Sequence, residues 1–288
     1  MIIVLSRLAV FHQYLLPKQA LTILAGKFAN ARAGWLTTAV IRWFVNHYNV
    51  NMQEANEPNI EKYATFNAFF TRSLRPDARP LASADFLCPI DGAVSQLGKI
   101  LDDQIFQAKG HLYSTKALLG GDTDLATKFQ DGDFVTLYLS PKDYHRIHMP
   151  CDGKLKRMIY VPGSLFSVNP VTARGVPHLF ARNERVICEF ESPEVGCFVL
   201  VLVGATIVGS MATVWHGIVS PPRPGRIRVW EYSDQDIVLN KGEEMGRFLL
   251  GSTVVMLFPK DTLQFHPEWK ALRVVWQGEP MAQNVKRF

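Results

Sequence analysis

Four residues of this 288-residue chain have side chains that could do chemistry together: Asp91, His145, His148 and Ser252. The two histidines stand three apart in Tyr144-His145-Arg146-Ile147-His148-Met149-Pro150. Imidazoles titrate near neutral pH, so a close pair beside tyrosine and arginine suits acid–base work. Ser252 lies in Leu250-Gly251-Ser252-Thr253, and a serine hydroxyl needs a base before it attacks anything.

Taken singly, these segments are weak signals. Asp91-Gly92 by default marks a turn. Gly251-Ser252-Thr253 lacks the alternate glycines of a hydrolase nucleophile elbow. As a set, Asp91, His148 and Ser252 also fit a serine hydrolase acting on lipid esters, and chain order does not separate the readings. A metal site from His145, His148 and Cys151 is disfavoured: Pro150 interrupts a helix, and on a strand the spacing alternates faces, so no metal is expected.

The elements that must position these groups divide the chain in three. Residues 1–53 read as two or three short helices, one started by Pro17, with Gly26 and Gly34 as punctuation. Trp35, Leu36, Ala39, Val40, Trp43, Phe44 and His47 recur at helical spacing, which suits either an interfacial amphipathic helix or one packed on its own domain. Residues 54–88 are polar and proline-rich, a connector with a helix over 65–72. From residue 89 short apolar runs alternate with Gly, Pro and Asp. Examples are 134–139, 186–190, 198–203, 214–219 and 253–258, and they predict a β-rich core. The expected class is α+β: N-terminal amphipathic helices followed by a sandwich- or barrel-like β core.

Charge supplies a partner. Arg7, Lys18, Lys27, Arg32 and Arg42 lie in residues 1–53, which hold no acidic residue, while the remaining 26 basic residues match the 26 acidic ones. A basic, apolar-rich end on a neutral body points to an anionic membrane surface. No zinc-finger spacing or aromatic RNA-binding motif points to nucleic acid. Cys88, Cys151, Cys188 and Cys197 form no CxxC pair, and no secretory leader is read at the start, so free thiols in a reducing compartment are expected. Arg7, His12 and Lys18 interrupt the first apolar run, so the chain is expected to lie on a membrane rather than through it. A non-enzymatic membrane-surface lipid-binding protein fits these features too.

The three segments together, and in order, resemble the signature of bacterial phosphatidylserine decarboxylases. The likeness extends to 160–169, 179–185 and 203–210, and more loosely to 32–37. It implies a proenzyme split between Gly251 and Ser252 into chains 1–251 and 252–288, with Ser252 becoming a pyruvoyl group. Asp91, His148 and Ser252 would carry out the self-processing. The pyruvoyl group would form a Schiff base with phosphatidylserine, and His145 would donate the proton after carbon dioxide leaves. Ser167 is the candidate for the headgroup phosphate. The resemblance also implies a homodimer, peripheral on the cytoplasmic face of the inner membrane.

Overall fold

A computed structural model describes residues 11, 13, 14, 16–206, 210–250 and 253–285. Gly251 and Ser252 therefore lie outside the described residues. Helix Lys18–Asn30 follows Pro17, whose fixed φ suits a helix start. Gly26 lies within this helix and does not end it, a correction to its reading as punctuation. Gly34 does separate two helices: it takes φ +56° just before helix Trp35–Tyr48. The aromatic stripe of that second helix splits. Phe44 turns inward with Ile41, while Trp35 and Trp43 stay 80% and 58% exposed. The helix thus packs on its own domain with one face and shows aromatic rings with another.

Phe44 meets Phe66, Phe69 and Phe70 of the short helix Phe66–Phe70. Thr65 caps that helix by accepting from the Ala68 N–H, so the helix expected over 65–72 is one turn, ending at Phe70.

The body is a nine-stranded antiparallel sheet running Arg228–Glu231, Gly153–Val161, Arg185–Ser192, Gly196–Val203, Thr253–Phe258, Asp133–Tyr138, Gly92–Lys99 and Val274–Val275, with Val238–Leu239 also on Gly153–Val161. It stays open and does not close into a barrel. Thr253–Phe258 is central and entirely buried, because its alternate residues enter different cores. Val255 and Leu257 join Ile41, Phe69 and the helices on one face. Val254, Met256 and Phe258 join Ile147, Met245 and Phe248 on the other. Burial on both faces is why this strand reads as an unbroken apolar run.

Against that second face lies a four-stranded sheet, in the order Gly217–Ser220, Met211–Thr213, Glu244–Phe248, Arg146–His148. The run 214–219 is thus not one strand. Met211–Thr213 and Gly217–Ser220 form a hairpin turning at Val214–His216, with Gly217 at φ +75°. The four cysteines are all buried and free.

Candidate active site

The site assembles where the two sheets meet. Glu244–Phe248 pairs with Arg146–His148, Glu244 opposite His148 and Arg247 opposite Arg146, and the Phe248 N–H donates to the His145 carbonyl at 3.0 Å. Five residues later the chain is in the large sheet, where Thr253 stands opposite both Tyr138 and Val203. Leu249 and Leu250 begin this crossing. Leu249 donates its N–H to Ser210 O at 2.9 Å, and Leu250 takes φ +110°, which non-glycine residues rarely adopt. Such backbone strain costs on the order of 1–3 kcal/mol and persists only where its surroundings enforce it.

Both histidines have a defined tautomer. His145 Nδ1 lies 2.7 Å from the Asp143 carbonyl and His148 Nδ1 2.8 Å from the Gly242 carbonyl. A carbonyl only accepts, so each Nδ1 carries the proton and each Nε2 presents a lone pair. His148 Nε2 accepts from the Tyr144 hydroxyl at 3.0 Å. His145 Nε2 is buried and has no hydrogen-bond partner among the described residues.

His145 is 0% exposed, and the Phe70 ring sits 4.0 Å from its own. Burial pushes its pKa down to about 3; the Asp143 hydrogen bond opposes this and the Arg72 charge adds to it. Arg72 is itself buried, with Nε unpaired and one long 3.4 Å bond to Lys142 O. Burial also lowers His148, against the Gly242 hydrogen bond and the charges of Glu244 and Asp91.

An imidazole held neutral by the fold makes stability depend on acid. His145 is uncharged in the folded chain down to about pH 3 but takes a proton near its ordinary value of 6.5 when unfolded. Its contribution is complete above 6.5 and falls by about 1.4 kcal/mol per pH unit below it. Urea midpoints should therefore drop between about pH 7 and about pH 5, and a flat profile would contradict the assignment.

Asp91 has a different partner from the expected one. Its carboxylate accepts both Nε and Nη2 of Arg79, at 3.0 and 2.6 Å, and the Gln277 N–H at 2.9 Å. Arg79 Nη2 also reaches Glu54 at 2.8 Å, and its guanidinium lies 4.6 Å from the Trp276 ring. Burial works against the Arg79 cation, but the hydrogen bonds and charges of Asp91 and Glu54 outweigh it and raise its pKa. Asp91 thus makes no hydrogen bond to His148, whose Nδ1 is occupied by Gly242. It acts on His148 by charge instead.

Nor is Asp91-Gly92 a turn: Gly92 opens a strand so close to Tyr138 that a Cβ would stand 2.3 Å from its carbonyl oxygen. Glu54, Arg72, Arg79, Asp91 and Tyr144 line a cavity of about 140 Å³. Arg79→Leu would leave Asp91 buried without its cation. It should cost about 3–5 kcal/mol of stability, read as a lower urea midpoint.

Ser167 donates its N–H to Gln13 Oε1 at 2.9 Å, and its Oγ accepts from the Asn169 N–H at 3.4 Å. His145 directly precedes and His148 ends the short strand Arg146–His148, in separate surroundings: Phe70 and Asp143 for one, Tyr144 and Gly242 for the other. Among the described residues no three His, Cys, Asp or Glu side chains are grouped to hold a metal.

Comparison with known proteins adds the lineage. A family model described as phosphatidylserine decarboxylase matches residues 66–283, and a second, described as PSD, matches residues 8–49. The chain is 72% identical over 280 residues to the phosphatidylserine decarboxylase proenzyme of Dechloromonas aromatica, covering 97% of this chain and 99% of that one. It is 69% identical to that of Acidovorax ebreus, over 97% and 98% of the two chains. The chain belongs to the phosphatidylserine decarboxylase family. In a phosphatidylserine decarboxylase the crossing that begins at Leu249 and Leu250 gains meaning, since the family motif Leu250-Gly251-Ser252-Thr253 follows there in the sequence.

Sequence reasoning missed Arg79, Glu54 and Arg72 as parts of this site. Tyr144 stood inside the quoted segment without a role.

Proposed function

We propose that this chain is a proenzyme that cuts itself between Gly251 and Ser252 and then converts phosphatidylserine to phosphatidylethanolamine and carbon dioxide. Membership of the family supports the reaction. The observation that carries the mechanism is the pair of neutral imidazoles, His145 buried and His148 half-buried, beside the strand that leads towards residues 251–252.

In self-cleavage, His148 Nε2 takes the Ser252 hydroxyl proton, and the Tyr144 hydroxyl gives up its place on that nitrogen. Ser252 Oγ attacks the Gly251 carbonyl, and an ester replaces the amide. Loss of the residue-252 α-proton then expels the Gly251 carboxylate and leaves dehydroalanine. Water converts this to the pyruvoyl group with release of ammonia. Asp91 supports the charge on His148 from a distance, and the strain at Leu250 raises the uncut state towards the transition state.

The pyruvoyl group supplies an electron sink that takes up the substrate amine and receives the electrons left as carbon dioxide departs. The buried Nε2 of His145, without a hydrogen-bond partner among the described residues, fits such a site. Because His145 is neutral, it is a base first: it accepts a proton from the substrate ammonium. It can then return that proton to the carbon that lost carbon dioxide, the donor role expected of it.

The exposed Leu24, Phe28, Trp35 and Trp43, with Lys27, Arg32 and Arg42 nearby in sequence, support attachment to an anionic lipid surface. None of the described helices is long and apolar enough to cross a membrane. The proposed location is the cytoplasmic face of the inner membrane, which the free buried thiols suit.

Intact mass under denaturing conditions tests the reading. The expected result is two chains split after Gly251, the smaller blocked at its N-terminus by a pyruvoyl group. A single chain of 32.5 kDa that stays whole with lipid would overturn it.

A further inference from the structure

We infer that the groove between helix Lys18–Asn30 and the turns at Ser210–Arg223 seats the phosphodiester and glycerol of the lipid substrate, with Lys27 and Arg223 as its cations. This rests on the decarboxylase reading and adds a binding site to it. The groove has a volume of about 800 Å³. One wall is a single face of the helix, on which Ile23, Gly26, Lys27 and Asn30 follow at helical spacing. The other wall includes Ile218, Arg223 and Leu249.

Leu249 fixes the groove's relation to the chemistry. It lines the groove and stands three residues before Ser252 in the sequence, at most about 10 Å of extended chain. The walls also match the ligand. Ile23 and Ile218 are 49% and 57% exposed, aliphatic surface for the start of acyl chains. Lys27 is exposed, and no carboxylate among the described residues pairs with it, whereas Arg42 and Lys62 are paired with Glu61 and Glu57.

Arg223 is held in a built bracket. Its Nε donates to Glu184 Oε2 at 2.8 Å, and Glu184, 1% exposed, also accepts from Tyr160 and Ser220. That bracket fixes the arginine at the groove wall. Ser167, by contrast, does not line the groove.

The same helix shows Leu24 and Phe28 on another side. A lipid could thus leave its tails in the bilayer while its headgroup crosses to the polar face. The space beside Gly26 is open, since a Cβ there would meet nothing within 4 Å.

The test uses the processed enzyme with monomeric dihexanoyl phosphatidylserine, so that membrane attachment is not what is read. Lys27→Ala should raise KM about tenfold with kcat within about twofold, the size of one charge-assisted hydrogen bond. Gly26→Trp should raise KM at least as much by filling the groove, without disturbing the helix. Both variants should be fully split by intact mass, and Lys154→Ala, outside the groove, should match the parent. Inorganic phosphate should compete with the substrate in the parent and less in Lys27→Ala, whereas Gly26→Trp should penalise the lipid more than phosphate. KM unchanged in both variants, or equal phosphate competition in parent and Lys27→Ala, would overturn the inference. Failure of the parent chain to split or to release carbon dioxide would instead strike the decarboxylase reading.

Discussion

Ser252→Ala should give one uncut chain that releases no carbon dioxide from phosphatidylserine. The substitution removes a single oxygen, so the fold should persist and the loss should be chemical. Without that hydroxyl no ester forms at Gly251, no pyruvoyl group appears, and the electron sink is missing altogether. The expected effect is complete loss rather than a slower rate. His148→Ala should also stay uncut, because the proposed mechanism passes the Ser252 proton to His148. An uncut Ser252→Ala protein that still released carbon dioxide would require a different cofactor. Cleavage persisting in the variant would place the break elsewhere in the chain.

His145→Ala separates the two halves of the mechanism. Self-cleavage is assigned to His148, so this variant should still split after Gly251, while decarboxylation falls by about 10²–10⁴-fold, the usual worth of a positioned acid–base group. The cavity it leaves beside Phe70 will also cost some stability, so cleavage must be confirmed by mass before rates are compared. His145→Asn is the informative companion, since it keeps polarity and much of the volume but cannot carry a proton. If His145→Asn kept the parent rate, the buried Nε2 would be a structural orphan rather than a proton carrier. If His145→Ala were uncut, the division of labour between the two imidazoles would be wrong.

Much of this was legible in the residues, for physical reasons that differ by element. Thr253–Phe258 and Gly196–Val203 announce themselves because both faces are buried, and only apolar side chains satisfy that. The run 214–219 misled because Val214, Trp215 and His216 form a turn and only Gly217 onward enters a strand. Gly26 read as a break, yet one glycine costs a helix only about 1 kcal/mol relative to alanine.

The Asp91–Arg79 pair was invisible for a different cause. Arg79 sits in a proline-rich stretch without periodicity, and nothing local says that the stretch returns to the sheet. Pattern identifies an amphipathic face, whereas a long-range ion pair is fixed only by the folded path of the chain. The same holds for the histidine tautomers, which depend on the carbonyls of Asp143 and Gly242 and not on any neighbouring side chain.

The place of Thr253–Phe258 in the middle of the large sheet has a consequence for the life of the protein after cleavage. Asp133–Tyr138 grips this strand on one side and Gly196–Val203 on the other. Further along, Val274–Val275 joins Gly92–Lys99, and Pro280–Asn284 joins Phe86–Leu87. A segment woven in at three places stays when its peptide link is severed, so the cut changes little in the folded state. It changes the unfolded state greatly. The precursor regains its sheet as one tethered molecule, whereas two separated pieces must find each other at whatever concentration they have. Maturation would thus convert a reversible folder into a protein that, once lost, is lost by dilution, so its working lifetime is set by how slowly that central strand escapes.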